Sequence, residues 1–302
     1  MAVDIVRFPD EESAAAALHG ELVRNLTEPE VMGPQVIMLA GGETPLAIYR
    51  GITAYPPSLA APGTWILLSD DRHVPATDER SNLRTILPMA RSVGIPSGRV
   101  LHPDPARDPV ASAREFGRRI AVPAATGADF TLGILGIGSD GHTASLFSPD
   151  LVPLPTGGGA NPGANPGADP GADPGDDPDR SPGNLSGSSP DSTPVGRPIG
   201  TNAGSGTPCY SSPEELALSA GEHEGVQRIS VSAAVLLSFR RLLLYAPGAS
   251  KQEIIALIEK HPGNYPAGRI LMQHPNAQIW TDHGRTSGSM CSNSSGGSSV
   301  GT

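Results

Sequence analysis

Short apolar runs alternate with longer amphipathic stretches over the first 150 residues. The short runs have the length of buried strands, and the longer stretches have helical spacing. Strands that alternate with helices predict an α/β protein whose mostly parallel sheet is covered on both faces. The alternation returns after Tyr210. In the first part of the chain, Asp10 and Thr44 are predicted to be the N-caps of two helices. The predicted strands are residues 3–6, 36–40, 65–69, 130–135, 228–232, 241–246 and 278–281, and the predicted helices are residues 11–25, 81–91, 110–120 and 250–260, with another opening at Pro45.

The alternating pattern stops between residues 152 and 208. Residues 159–178 are five consecutive four-residue units, each ending in proline, and no position offers an apolar face. Proline at every fourth position forbids a helix, and nothing offsets the entropy of ordering the chain. We therefore predict a disordered Pro/Gly/Asp-rich insertion at 152–208 and a disordered Ser/Gly-rich tail at 284–302. Residues 1–151 and 209–283 then form a single α/β catalytic domain.

Charge and cysteine content narrow the function classes. The formal net charge of −10 argues against a nucleic-acid partner or an anionic membrane surface, and it means that an anionic ligand needs local cations. The two cysteines, Cys209 and Cys291, offer neither a disulfide framework nor zinc-ligand spacing. The N-terminus lacks the order of a secretory signal, and the apolar runs are too short to span a bilayer. We expect a soluble cytoplasmic protein without a metal.

A glycine-rich turn follows the predicted strand at 130–135. Residues 136–141 match Gly-x-Gly-x-x-Gly, but a dinucleotide site needs an acidic residue about 20 positions later, which falls in the proline repeat. A nucleophile elbow fails because Ile137 stands two residues before Ser139. The turn presents Asp140 and His142 at a predicted helix N-terminus. His142 is either a general base or an incidental residue of a capped turn.

Two further segments end predicted strands. At Gly41, Gly42 and Thr44, glycines and a helix N-terminus can bind a phosphate, although the same pattern fits an ordinary turn. Asp70 and Arg72 belong to a charged segment that could equally be a solvated loop with a surface ion pair.

Several cations and histidines stand outside these segments. Arg228 and Lys251 are isolated cations, which by default face solvent. The histidines His73, His102 and His223 lack metal-ligand spacing, and we predict that they are surface residues.

Together, these segments resemble the 6-phosphogluconolactonase family, which is related to the glucosamine-6-phosphate deaminases. The resemblance covers most of residues 3–150 and 222–283, and its most specific part is the run Asp-Gly-His-Thr-Ala-Ser-Leu-Phe at 140–147. The chain departs from the family pattern at Asp71, where the family has Glu, at 226–227, where a Pro pair is replaced, and in the insertion. The other matching segments are residues 40–45, 70–75, 81–82, 136–139, 228–230, 248–251 and 280–282.

The resemblance implies an open doubly wound sheet of the amino-sugar-phosphate deaminase/isomerase type and hydrolysis of 6-phospho-D-glucono-1,5-lactone to 6-phospho-D-gluconate. His142 would activate water and return the proton to the departing ring oxygen, and amides of the glycine turn would hold the oxyanion. Asp140 would orient the imidazole or bind a sugar hydroxyl. No metal or organic cofactor is implied. The residues implied to bind the substrate and its phosphate are Gly41, Gly42, Thr44, Asp70, Arg72, Arg228 and Lys251.

Two alternatives remain. A glucosamine-6-phosphate deaminase/isomerase would follow its histidine with a run of the type Ile-Ala-Phe-Asn-Glu-Pro, whereas residues 143–147 here are Thr-Ala-Ser-Leu-Phe. A non-catalytic sugar-phosphate-binding regulator would need a basic DNA-binding segment, for which this acidic chain has no candidate. The oligomeric state, the role of the insertion and the range of lactones accepted stay open.

Overall fold

A computed structural model describes residues 3–155, 206 and 210–282, without the side chains of Glu43 and Thr44. Within these residues, seven parallel strands form one sheet in the order β1-β10-β9-β6-β2-β3-β5, and β4-β8-β7 form a second, antiparallel sheet. The predicted mostly parallel α/β fold is confirmed. The strands are β1 (Ile5–Arg7), β2 (Gln35–Leu39), β3 (Thr64–Leu68), β4 (Asp70–Arg72), β5 (Val100–Leu101), β6 (Asp129–Leu135), β7 (Ala217–His223), β8 (Val226–Val231), β9 (Arg241–Tyr245) and β10 (Ala277–Thr281).

The helices cover both faces of the parallel sheet. Alternate residues of β2 enter different cores: Val36 and Met38 pack in a cluster with Phe116, while Ile37 and Leu39 pack in a cluster with Leu22. Burial on both faces explains why β2 is apolar without alternation. The helices are α1 (Glu11–Thr27), α2 (Glu43–Ala54), α3 (Leu83–Ser92), α4 (Pro109–Ala125), α5 (Ala233–Ser238), α6 (Gln252–Lys260) and α7 (Pro266–Gln273).

The small antiparallel sheet was not predicted. Its strand β4 is the charged segment interpreted above as a possible loop, and it pairs with β8 so that Arg72 lies opposite Arg228. A three-residue strand composed of charged residues carries no apolar alternation, so only its tertiary partner reveals it. The pairing brings two arginines from distant parts of the chain to one place.

The N-termini of two helices test the predicted caps. The Asp10 carboxylate accepts from the N–H of Ser13 at 2.7 Å, as predicted for the cap of α1. At α2 the prediction of Thr44 is wrong: the cap is Gly42, and the helix begins at Glu43. Gly42 has φ 97°, a backbone conformation that glycine adopts without a steric penalty.

Two described residues of the predicted insertion belong to the packed structure. Val152 is fully buried, so the packed core extends at least one residue beyond the predicted start of the insertion at residue 152. Gly206 donates its N–H to Ser238 O and accepts from the N–H of Phe130. Residues 156–205, 207–209 and the tail at 284–302 lie outside the described residues. None of the described helices combines the length and hydrophobicity needed to cross a membrane.

Candidate functional site

A cleft of about 250 Å³ opens at the carboxyl edge of the parallel sheet. Strands β2 and β6 are neighbours there, but the chain leaves β2 toward β3 and leaves β6 toward β9, so the cleft lies where the strand order reverses. Open α/β sheets bind ligands at such switch points. The cleft is lined by residues that follow β2, β3, β6 and β9 and by the β7–β8 hairpin: Gly41, Gly42, Asp70, Arg72, Asn82, Gly138, His142, Ser145, Phe147, His223, Glu224, Arg228, Tyr245 and Lys251.

Asp140 and His142 form a hydrogen-bonded pair in the turn after β6. His142 Nδ1 lies 2.5 Å from Asp140 Oδ1, and the His142 amide donates to the same oxygen at 3.2 Å. Partial burial raises the pKa of Asp140, but the amide and imidazole of His142 outweigh it and hold the pKa below its ordinary value. An ionised carboxylate only accepts hydrogen bonds, so Nδ1 carries the proton and Nε2 is the basic nitrogen. This tautomer suits a general base.

The glycines of this turn determine where Asp140 and His142 lie. The Gly138 N–H donates to His142 O at 2.9 Å, and the Gly141 N–H donates to Gly138 O at 3.0 Å. A side chain on Gly138 would overlap the imidazole and the Asp140 carboxylate, so only glycine lets the pair approach the backbone. Because these two amides are bonded within the turn, they are not free for the oxyanion role expected of the turn.

The helix predicted after His142 is absent. Residues 143–146 form a tight turn in which the Leu146 N–H donates to Thr143 O, and Ala144 has φ 49°. Tertiary bonds fix this conformation: Ser145 Oγ donates to Asp70 Oδ2 at 2.7 Å, and the Ser145 N–H donates to Ser230 Oγ. The loop after Asp140 and His142 is therefore bonded to Asp70 and to β8 instead of continuing as a helix.

Three cations line the cleft, Arg72, Arg228 and Lys251, which the family resemblance implied as phosphate ligands and which residue type alone placed in solvent. Arg72 Nη1 donates to Asn82 Oδ1 at 2.6 Å, and Arg228 is buried opposite it with its Nε unbonded within the described residues. Burial, followed by the charge of Arg72, lowers the pKa of Arg228 from its ordinary value, while nearby carboxylates oppose that shift. Lys251 ends a short 3₁₀ turn at Ala249–Lys251 on the same cleft. Two like charges held together in the protein favour an anionic ligand.

The N-terminus of α2 lies at the same cleft. Gly41, Gly42 and Pro45 line it, and a side chain on Gly41 would overlap the Asn82 amide. The first helical bond of α2 runs from the Leu46 N–H to Gly42 O at 3.3 Å, and the amides of a helix's first turn favour anions. The side chain of Thr44 lies outside the described residues, so its predicted role stays a prediction.

The two adjacent acids after β3 are structural anchors. Asp70 lines the cleft, but its oxygens accept from the hydroxyls of Ser69 and Ser145 at 2.8 and 2.7 Å. Asp71 accepts from Ser81 Oγ and the Asn82 N–H at the start of α3. The alternative of a solvated loop is wrong here, since both carboxylates are buried.

The β7–β8 hairpin supplies two residues that the sequence did not identify. His223, predicted to be a surface residue, lines the cleft and stacks on Phe147 with 4.1 Å between ring centroids. Glu224 lies 3.5 Å from Arg228. Gly225 was the available signal for this hairpin, and a weak one, because glycine adopts the positive φ of a tight hairpin turn without a steric penalty. The described residues contain no group of three or more His, Cys, Asp or Glu side chains arranged to hold a metal ion.

The fold and the cleft define the class first: an open, doubly wound α/β protein with a cleft at its switch point, where such sheets bind ligands. Comparison with known proteins narrows this class. Residues 9–152, slightly less than half of the chain, match the family described as "Glucosamine-6-phosphate isomerases/6-phosphogluconolactonase". The resemblance inferred from the motifs is thereby confirmed.

Individual relatives show how far the similarity extends. A 6-phosphogluconolactonase of Thermotoga maritima is 37% identical over 112 residues, which are 37% of this chain and 49% of that protein. A crystal structure of 6-phosphogluconolactonase from T. maritima gives a TM-score of 0.59 at 18% identity, covering 93% of this chain and 98% of the other. A monomeric glucosamine-6-phosphate deaminase gives 0.56 at 15% identity, covering 92% and 96%. The matched stretch spans about half the length of the first of these curated relatives. The solved lactonase and the solved deaminase both share the fold of this chain.

Proposed function

We propose that the protein hydrolyses 6-phospho-D-glucono-1,5-lactone to 6-phospho-D-gluconate. One observation carries the proposal: His142, held by Asp140 at Nδ1 so that Nε2 is the basic nitrogen, lines the same 250 Å³ cleft as Arg72, Arg228 and Lys251. A base and clustered cations on one cleft suit a phosphorylated substrate that also carries a group open to hydrolysis. The curated relatives named 6-phosphogluconolactonase support this substrate.

The hydrolysis follows from these groups. His142 Nε2 takes a proton from water, and the resulting hydroxide attacks the lactone carbonyl. The imidazolium is stabilised by Asp140 at Nδ1, and it then returns the proton to the ring oxygen as the carbon–oxygen bond breaks. Each step leaves Asp140 ionised. Water is consumed, the ring opens, and the carboxylic acid that forms releases its proton to solvent and becomes a carboxylate.

The phosphate end is held by charge. Arg228 loses solvation through its burial and regains a partner when a phosphate oxygen reaches it, and Arg72 beside it adds a second charge-assisted contact. Lys251 and the N-terminus of α2 line the same cleft, and together with Arg72 and Arg228 they form the phosphate-binding group that we call the clamp. Asp70, whose oxygens are bonded to serines, contributes by fixing the loop at Ser145 and can contact a sugar hydroxyl. A carboxylate would repel the phosphate itself.

Two parallel assays test this proposal. One follows acid release from freshly prepared lactone, with the spontaneous rate subtracted, and the other follows ammonia release from glucosamine 6-phosphate. We expect hydrolysis well above the spontaneous rate and no ammonia. Ammonia release without lactone hydrolysis would establish the deaminase instead, and binding of both compounds without turnover would favour a regulator. A single α/β domain formed by 1–151 and 209–283, its disordered insertion and tail, and cytoplasmic localisation remain predictions from the sequence.

A further inference from the structure

The tip of the β7–β8 hairpin is held in one conformation. Strand β7 ends at His223, strand β8 begins at Val226, and these two residues are paired across the hairpin. The two residues between them, Glu224 and Gly225, have φ of 52° and 74°. Positive φ at both central positions is the type I′ geometry, whose twist matches that of antiparallel strands. The side chain of His223 therefore starts from a fixed position at the cleft.

Three rings meet beside the catalytic pair. His223 stacks on Phe147 with 4.1 Å between centroids and 15° between planes. Phe147 lies edge-on to His142 at 4.8 Å and 60°, and His223 lies edge-on to His142 at 5.7 Å and 67°. Stacked and edge-to-face arrangements at these separations are attractive. The imidazole of His142 thus contacts a two-ring wall as well as Asp140.

The hydrogen bond to Asp140 alone does not fix the orientation of the His142 imidazole. The His142 side chain is 24% exposed and that of Asp140 is 51% exposed. A hydrogen bond between partly exposed groups competes with water and constrains a rotamer only weakly. Catalytic groups held to a fraction of an ångström are normally locked by packing from neighbouring side chains. Phe147 and His223 supply that packing.

We propose that His223 is a positioning residue for His142. Its ring presses Phe147 against the catalytic imidazole, which keeps Nδ1 on Asp140 and Nε2 toward the substrate. The inference rests on the proposed function for its kinetic consequences, but the orientation of His142 is a property of the protein without substrate. The stacked ring carries the effect, and the nitrogens of His223 are not needed.

Two variants separate stacking from hydrogen bonding. His223→Phe keeps a ring and removes both nitrogens, whereas His223→Ala removes the ring. We expect His223→Ala to lower kcat by about 10- to 100-fold, since a displacement near 1 Å costs on the order of 10²-fold, with KM changed less than about 3-fold. His223→Phe should stay within about 3-fold of wild type. The exposed His19→Ala serves as the matched control and should have no effect.

A measurement without substrate completes the test. Two-dimensional ¹H–¹⁵N spectra of the histidine side chains report which ring nitrogen of His142 is protonated. We expect one dominant Nδ1–H tautomer in wild type and His223→Phe, and mixed tautomers in His223→Ala at unchanged fold. Full kcat in His223→Ala, equal losses in both variants, or an unchanged His142 tautomer in His223→Ala would overturn the positioning role. If wild type hydrolysed no lactone, the proposed function would fail while the spectra still decided this inference.

Discussion

Gly138→Ala is the substitution for which the structure predicts the most specific damage. An added Cβ would lie 2.5 Å from Asp140 Oδ1 and would overlap Nδ1 and Cε1 of His142. Carbon atoms do not approach that closely, so the pair has to move. By contrast, a Cβ at Gly136, two residues earlier in the same turn, meets nothing within 4 Å.

The size of the effect follows from the displacement. Restoring normal contact requires the imidazole to shift by roughly 1 Å, which breaks its bond to Asp140, and a misplacement of that size costs on the order of 10²-fold in rate. That factor corresponds to about 2.7 kcal/mol of transition-state stabilisation. Since the imidazole is partly exposed and can move outward, the loss of folding stability should be smaller, about 1 kcal/mol.

Two measurements test whether a side chain at Gly138 displaces the Asp140–His142 pair. They are steady-state kinetics on fresh lactone and thermal melting, each on Gly138→Ala and Gly136→Ala. We expect kcat to fall about 100-fold in Gly138→Ala, with little change in KM, and to stay within about 2-fold in Gly136→Ala. A folded Gly138→Ala variant with wild-type kcat would refute the placement of the Asp140–His142 pair against the turn. Equal losses in both variants would show that the turn tolerates no side chain for general reasons.

Three other predictions concern the clamp, a buried acid and the insertion. Arg72→Ala, Arg228→Ala and Lys251→Ala should each raise KM more than they lower kcat, because the phosphate is remote from the reacting carbonyl; unchanged KM in all three would exclude the clamp. Burial raises the pKa of Asp71 to about 6. Folding therefore binds a proton between about pH 4 and 6, so the free energy of unfolding should fall by up to about 3 kcal/mol as pH rises through that window, and urea denaturation should show this slope reduced in Asp71→Asn. Replacing residues 157–205 with a short Gly/Ser linker should leave Tm nearly unchanged, because closing a flexible loop depends weakly on its length; unfolding would contradict this.

The parallel sheet was predictable because its strands are buried on both faces. Runs such as the one in β2 contain almost only apolar residues, and that signal does not depend on which strand lies beside which. The antiparallel β4 and β7 carry no such signal. Strand β4 is three charged residues, and β7 alternates weakly, so both are defined by pairing with β8. The pairing of β4 and β7 with β8 could not be predicted from the sequence.

The candidate site likewise combines features that local sequence predicts with features that depend on long-range contacts. Asp140 and His142 are two residues apart in a glycine turn, so their proximity could be inferred, as could the cations from the family resemblance. His223 lies 81 positions away and reaches the cleft only through the hairpin. The prediction of a helix after His142 was wrong because a long-range contact fixes that segment. Ser145 bonds to Asp70, 75 residues earlier, and this long-range contact outweighs the local helical preference.

The most direct test of the account is the rate of lactone hydrolysis by wild type and His142→Asn. Asn keeps a polar side chain of similar reach but cannot act as a base at neutral pH. With the spontaneous rate subtracted, we expect wild type to accelerate hydrolysis strongly and His142→Asn to lower kcat by on the order of 10²–10⁴-fold, with a smaller change in KM. Wild-type kcat in folded His142→Asn would contradict the central claim.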